Sequence, residues 1–157
     1  MISGVSVVIP AYNEAQAVES VVRDFLATLE TVGVPFEILV VDDGSTDDTA
    51  AAARRAGARI VESPTNLGYG ISLRRGILQA AYEYVLICDA DGTYPAKRAH
   101  DLIQQAEHMD MVVAARTGAR FRGRGLRGLA RAALLLFAGF AVGRRVPDVL
   151  SLIHISE

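Results

Sequence analysis

Residues 5–14 read VSVVIPAYNE. Val5–Ile9 is a short, β-branched run without alternation, as expected of a strand buried on both faces of a parallel sheet. Pro10 is expected to end it, and Tyr12, Asn13 and Glu14 follow at once. Downstream, Val18, Val21, Val22, Phe25, Leu26 and Leu29 recur at helical spacing and form one apolar face, with Gly33 and Pro35 punctuating its end. Phe36–Val41 reads as a second buried strand, and Ser45 and Thr46 are placed to cap a short alanine-rich helix behind it. Ala58–Val61 is a third, weaker strand. A glycine-punctuated loop, Asn66–Gly70, leads into a helix reaching about Ala81. Tyr84–Cys88 is a fourth strand, Pro95 opens a helix towards His108, and Asp110–Ala115 is a fifth strand. Short buried strands alternating with helices predict a single α/β domain with a doubly wound, mostly parallel sheet flanked by helices.

Composition supports one domain and excludes several functions. The 157 residues are 51% hydrophobic and 22% charged, which excludes a disordered chain. One cysteine, Cys88, allows neither an internal disulfide nor an all-cysteine metal cage and reads as a core residue. His100, His108 and His154 are scattered, without zinc-site spacing. The N-terminus has no basic segment followed by a cleavage site, so the expected compartment is the cytoplasm. The net charge of −2 conceals an asymmetry. Residues 1–95 carry 13 acidic and 6 basic side chains, whereas residues 96–157 carry 5 and 10. The first part is suited to a cation, the second to an anion.

In doubly wound sheets ligands bind at the carboxyl ends of the strands. Here those ends read Pro10-Ala11-Tyr12-Asn13-Glu14, Asp42-Asp43-Gly44-Ser45 and Asp89-Ala90-Asp91-Gly92. Four carboxylates at one sheet edge repel one another unless a cation or hydrogen-bond donors compensate. Asp-x-Asp directly after a strand suits Mg²⁺ or Mn²⁺, whose remaining ligands are waters and phosphate oxygens. Asp42–Ser45 alone fits a helix cap equally well; its conjunction with the other strand ends favours a ligand site. Gly68-Tyr69-Gly70 with Gly76 lacks the dinucleotide-binding spacing and follows the third strand rather than the first, so it reads as a structural loop near the ligand.

The segments VVIPAYNE, VVDDGSTD, NLGYG, CDADGTYP and AAR, in this order, resemble the family 2 glycosyltransferases of the GT-A fold, a Rossmann-like architecture. The likeness runs from about Val5 to Asp148, and is greatest to the polyprenyl-phosphate, dolichol-phosphate mannosyltransferase-like branch. It implies a UDP- or GDP-sugar donor, a divalent metal, and transfer of the sugar with inversion. By the same resemblance, Pro10, Tyr12 and Glu14 contact the nucleotide. Val41 and Asp43 bind base and ribose, with Asp42 beside them. Asp89 and Asp91, flanking Ala90, hold the metal on the donor pyrophosphate. Arg116 closes over the donor, and Asp148 stands beside the acceptor as a candidate base.

After Ala115 the chain changes character. Arg116, Arg120, Arg122, Arg124, Arg127 and Arg131 fall in a short glycine-rich segment. Arg122, Arg124, Arg127 and Arg131 are candidate ligands for an acceptor phosphate, with a solvated face as the alternative. Phe121 is the one aromatic residue among them, too few for base stacking on RNA. Leu129–Val142 is almost wholly apolar but shorter than the ~20 residues a spanning helix needs. It reads either as a buried helix or as one lying at a membrane surface, which would place the protein at the cytoplasmic face. Beyond Asp148 the resemblance stops. Residues 1–149 are therefore expected to be a C-terminally incomplete catalytic domain, and residues 150–157 a non-native tail.

Overall fold

In the computed structural model, residues 2–114 are described. Strands β1 (Val5–Ala11), β2 (Phe36–Asp42), β3 (Arg59–Glu62) and β4 (Tyr84–Ile87) alternate with helices α1 (Val18–Leu29), α2 (Thr49–Ala56) and α3 (Tyr69–Gln79). A 3₁₀ turn, Ala96–Arg98, leads into α4 (Ala99–Ala106). The four strands form one parallel sheet in the order β3-β2-β1-β4. Val5 pairs with Phe36 on one side and with Tyr84 on the other, so β1 is central, and every residue of it is buried. The expected doubly wound α/β sheet is present.

The two faces of the sheet carry separate cores. Val8, Leu39, Val41, Val61, Val85 and Ile87 form one cluster, against which Leu73, Ile77 and Ala80 pack. Gly76 brings α3 onto this face: a Cβ there would lie 2.3 Å from Val8 Cγ1 and 2.9 Å from Val41 Cγ2. The alternate positions Val7, Ile9, Ile38 and Val40 are equally buried and face the other way. Helix α1 buries Val18, Val21, Val22, Phe25 and Leu29, and packs against α2 and β2. Each such side chain stabilises the fold by about 1.5–3 kcal/mol relative to exposure.

Several strand bounds shift by a residue, and three departures from expectation have a physical reason or consequence. β1 does not stop at Pro10 but runs to Ala11, with Pro10 opposite Val41. The Val5 amide and the Ala11 carbonyl bond towards β2, whereas the Val8 carbonyl accepts the Cys88 amide at 3.1 Å. Even-numbered residues of β1 therefore bond towards β4, whose pairing ends at Val8–Ile87. Pro10 lacks a donor only where β4 has already ended, which makes it tolerable. Ser45 and Thr46 do not cap α2, which starts at Thr49; they bond to the loop after β1 instead. Residues 111–114 are not part of the described sheet, although Val112 is buried; Ala115 lies outside the described residues.

At the amino edge of the sheet a polar network joins β1, β2 and β3 to the segment that enters β4. The Ser6 hydroxyl donates to Glu37 Oε1 at 2.6 Å and accepts the Tyr82 amide at 3.1 Å. The Ala81 amide donates to Glu37 Oε1 at 2.6 Å, and Arg59 Nε donates to Glu37 Oε2 at 2.9 Å. Burial alone would raise the Glu37 carboxyl, but these hydrogen bonds and the Arg59 charge outweigh it and hold it below its ordinary value. The native state thus binds this proton less tightly than the unfolded chain. Its stabilisation is present above the ordinary glutamate pKa and lost as pH falls through the lowered native one. Glu37→Gln is accordingly expected to flatten the acid limb of the Tm-against-pH curve below pH ~4.5. Parallel curves for the two proteins would contradict this.

Candidate functional site

The strand order places β1 between β2 and β4, so the path of the chain reverses beside β1. A crevice outside the carboxyl ends at such a reversal is the usual ligand site of an open α/β sheet. The ends of β1, β2 and β4 converge there.

A clasp of hydrogen bonds shapes the loop after β1. Asn13 has φ +56°, the one positive φ among the described non-glycine residues, in a region that asparagine tolerates. Its amide donates to Ser45 Oγ at 2.9 Å, and its Oδ1 accepts the Thr46 amide at 2.9 Å. The Glu14 amide donates to Thr49 Oγ1 at 2.8 Å, and the Ala15 amide to Asp47 Oδ2 at 3.2 Å. The Thr49 hydroxyl in turn donates to Asp47 Oδ1. The donors of one loop are satisfied by the side chains of the other.

After β2, Asp42 and Asp43 are both buried. Asp42 Oδ1 accepts the Ser45 amide at 3.3 Å. Asp43 Oδ1 accepts the Leu67 amide at 2.9 Å and Oδ2 the Gly68 amide at 2.8 Å, so this carboxylate anchors the loop leading into α3. Each oxygen keeps a second lone pair. Gly44, at φ +74°, lets that loop come close: a Cβ would sit 2.5 Å from the Thr65 carbonyl carbon and 2.8 Å from the Asn66 nitrogen.

After β4, Asp89 is half-buried, Ala90 buried and Asp91 exposed. Asp91 Oδ1 accepts the Thr93 amide at 2.9 Å and the Thr93 hydroxyl at 2.7 Å, which orients the carboxylate and leaves Oδ2 available. The Tyr69 hydroxyl donates to Asp89 Oδ1 at 3.3 Å. Burial and the adjacent Asp89 charge push the Tyr69 phenol far above its ordinary value, so it stays protonated. Burial and the charges of Asp89 and Asp91 push the Cys88 thiol up to about 12, so Cys88 is an inert core thiol.

A cleft of about 230 Å³ lies between the ends of β1 and β2 and the start of α3, lined by Pro10, Ala11, Tyr12, Asp43, Asn66, Gly68, Tyr69 and Ser72. Of the residues singled out from sequence, it gathers Pro10, Tyr12 and Asp43. Tyr12 and Tyr69 expose 45% and 47% of their surface, so two aromatic rings are available to a ligand at its mouth. Tyr69 connects the cleft to Asp89. Val41 lies in the core, fully buried beneath Gly76, with its side chain turned from solvent. Glu14 and Asp42 support the two loops but do not line the cleft. Arg116, Arg122, Arg124, Arg127, Arg131 and Asp148 lie outside the described residues, as does Leu129–Val142. Sequence reasoning passed over Tyr69 and Ser72 as individual residues. The available signal for Ser72 was its spacing from Gly76, one helical turn along the face of α3 that meets the sheet.

Among the described residues no group of three or more His, Cys, Asp or Glu side chains is gathered to hold a metal ion. Two carboxylates separated by one residue supply hard oxygen donors without a closed cage. That donor set fits a cation whose other positions go to water and phosphate oxygens. Among the described residues, no helix is long and apolar enough to cross a membrane.

Comparison with known proteins places these features in context. Residues 6–151 match the family model described as Glycosyl transferase family 2. Undecaprenyl-phosphate 4-deoxy-4-formamido-L-arabinose transferase from Sodalis glossinidius is 36% identical over 111 residues, covering 67% of this chain and 34% of that protein. Mannosyl-3-phosphoglycerate synthase from Rubrobacter xylanophilus shares the fold, with a TM-score of 0.80 at 23% identity over 98% of this chain and 53% of that one. Glucosyl-3-phosphoglycerate synthase from Mycobacterium tuberculosis, solved with Mn²⁺, UDP and phosphoglyceric acid, gives a TM-score of 0.76 at 26% identity. The alignment covers 99% of this chain and 56% of that structure. The chain thus spans about half the length of these solved structures and a third of the arabinose transferase.

Proposed function

This chain belongs to glycosyl transferase family 2, and from that membership we propose that it is the catalytic domain of an inverting glycosyltransferase. The donor is a UDP- or GDP-sugar. The single observation that carries this reading is the cleft where Pro10, Tyr12 and Asp43 meet Tyr69, which is itself bonded to Asp89. Tyr12 and Tyr69 offer ring faces to the base, and Asp43 offers lone pairs to base or ribose donors. The diphosphate then points towards the β4 end, where Asp89 and Asp91 would hold Mg²⁺ or Mn²⁺. When bound, such a cation supplies positive charge to the departing diphosphate. The Thr93 bonds fix Asp91 for that task. Inversion requires an acceptor oxygen to approach the anomeric carbon opposite the diphosphate. In this reading Arg116 adds charge-assisted donors to the same phosphates, and Asp148 serves the acceptor as base.

Polyprenyl phosphate is the acceptor we favour, by likeness to the undecaprenyl-phosphate transferase. Arg122, Arg124, Arg127 and Arg131 would bind its phosphate, and Leu129–Val142 would lie at the cytoplasmic membrane face. A second reading has a soluble acceptor, favoured by the structural likeness to the synthase solved with phosphoglyceric acid. Both acceptors are phosphorylated, which suits the basic second part of the chain. A third, a nucleotide-sugar-binding chain without turnover, keeps the donor site and drops the reaction.

Isothermal titration of the 157-residue chain with UDP- and GDP-sugars, with and without Mn²⁺, tests the donor site. Metal-dependent binding of at least one is expected. No metal-dependent binding of any would overturn the reading.

A further inference from the structure

Helix α3 stands apart from the other helices. α1 packs against α2 and α4, whereas α3 packs against β1 and β2. It turns Leu73 and Ile77 to the core and buries Ser72 and Gly76. At 3.6 residues per turn, the opposite side of the helix carries Ile71, Arg74, Arg75 and Leu78. Ile71 is 50% exposed and Leu78 70%, the highest value among the described large apolar side chains. Leu67, just before the helix, is 42% exposed. The exposed side of α1 carries Arg23 and Asp24 instead, as expected of a helix face in water.

Charge on α3 has one sign. The helix contains Arg74 and Arg75 and no acidic residue. Arg75 is bonded to the Ser63 hydroxyl and the Glu62 carbonyl, both neutral acceptors, so its charge is not cancelled there. Arg74 is exposed and forms no ion pair with a described residue.

We propose that the outer face of α3, with Leu67, Ile71, Leu78 and Arg74, is a docking surface for an anionic lipid bilayer. The proposal rests on the reading in which the acceptor is a polyprenyl phosphate, and adds the surface that meets the membrane. On such a face the apolar side chains enter the boundary between headgroups and acyl chains, while arginine stays with the lipid phosphates. A second copy of the chain fits less well. The 11 residues of α3 span only about 16 Å. A stable dimer needs about 800 Å² and about 20–30 residues from each partner. Pairing two such faces would also set arginine against arginine, with no acid on either helix. Gly68 and Tyr69, at the start of the same helix, line the cleft. Docking along α3 therefore keeps that wall of the cleft beside the headgroups, where a lipid-borne phosphate lies.

Vesicle flotation of the 157-residue chain tests this, with phosphatidylcholine vesicles and with vesicles of phosphatidylcholine and phosphatidylglycerol in equal parts. The chain is expected to bind the anionic vesicles at least about 5-fold more tightly than the neutral ones. Ile71→Gln combined with Leu78→Gln is expected to weaken binding to the anionic vesicles by about 10-fold or more. Arg74→Gln should weaken it by about 5-fold and leave binding to neutral vesicles unaltered. All three positions are exposed, so the Tm of each variant should stay within about 2 °C of the unaltered chain. Unchanged affinity of the double variant would overturn the proposal, as would absence of vesicle binding by the unaltered chain. A dimer in sedimentation equilibrium that the double variant reduces to a monomer would overturn it too, because the face would then meet a second copy. Sugar transfer to polyprenyl phosphate in detergent micelles reads the acceptor without a bilayer, so failure of the acceptor reading is distinguished from failure of the α3 contact.

Discussion

Asp91→Ala should weaken metal-dependent binding of the donor nucleotide by about 100-fold or more while leaving the fold intact. Losing an oriented carboxylate is a larger change than losing an outer hydrogen bond, which already costs about 10–100-fold in metal affinity. Asp91 is exposed, so its removal should shift stability by no more than about 0.5 kcal/mol. Thr93→Val supplies the graded comparison. It keeps the carboxylate and removes the hydroxyl that holds Oδ1 at 2.7 Å, so its effect should be smaller. Titration with UDP or GDP at several Mn²⁺ concentrations reads both variants. Wild-type affinity in Asp91→Ala would place the cation elsewhere.

Gly44→Ala should be among the most damaging single-methyl additions in the described part of the chain. Its φ of +74° costs an L-residue about 1–2 kcal/mol. The added Cβ also meets backbone, 2.5 Å from the Thr65 carbonyl carbon, and backbone cannot rotate away as a side-chain tip can. Overpacking of this kind costs a further 1–3 kcal/mol or so. A total near 3 kcal/mol should lower Tm by about 10 °C. The loop that must yield carries the Leu67 and Gly68 amides held by Asp43, so nucleotide binding should fall with stability. Gly33→Ala isolates the conformational part. Gly33 has φ +78° with nothing within 4 Å of the added atom. Equal Tm losses in the two variants would show that close approach at Gly44 contributes nothing.

The sheet was legible because its signals are local. Val5–Ile9, Phe36–Val41 and Tyr84–Cys88 are apolar runs that only a doubly covered strand can use, and the carboxylates behind them fall at the carboxyl edge of the sheet. What failed depended on partners. Whether Pro10 can stay in β1 is decided by where β4 stops, a fact about residues far along the chain. Ser45 and Thr46 have the chemistry of helix caps, but Asn13 competes for them from across the sheet. Residues 111–114 show how an apolar segment can resemble a strand without joining the described sheet. Around the candidate site, Asp43, Asp89 and Asp91 were identifiable as acids at strand ends. Tyr69 and Ser72 were not, because nothing in α3 says which strand end it will overhang until Gly76 seats it on Val8 and Val41.

The clasp between the loops after β1 and β2 also bears on the order of assembly. Its contacts join residues 32 to 35 positions apart, and the cleft lining is complete once the chain has reached Ser72. Pairings of such modest separation close early, at small entropic expense. During synthesis, the residues that line the cleft have all emerged before the arginine-rich part of the chain. A vectorially folding chain would thus have both clasped loops in hand before that basic segment follows.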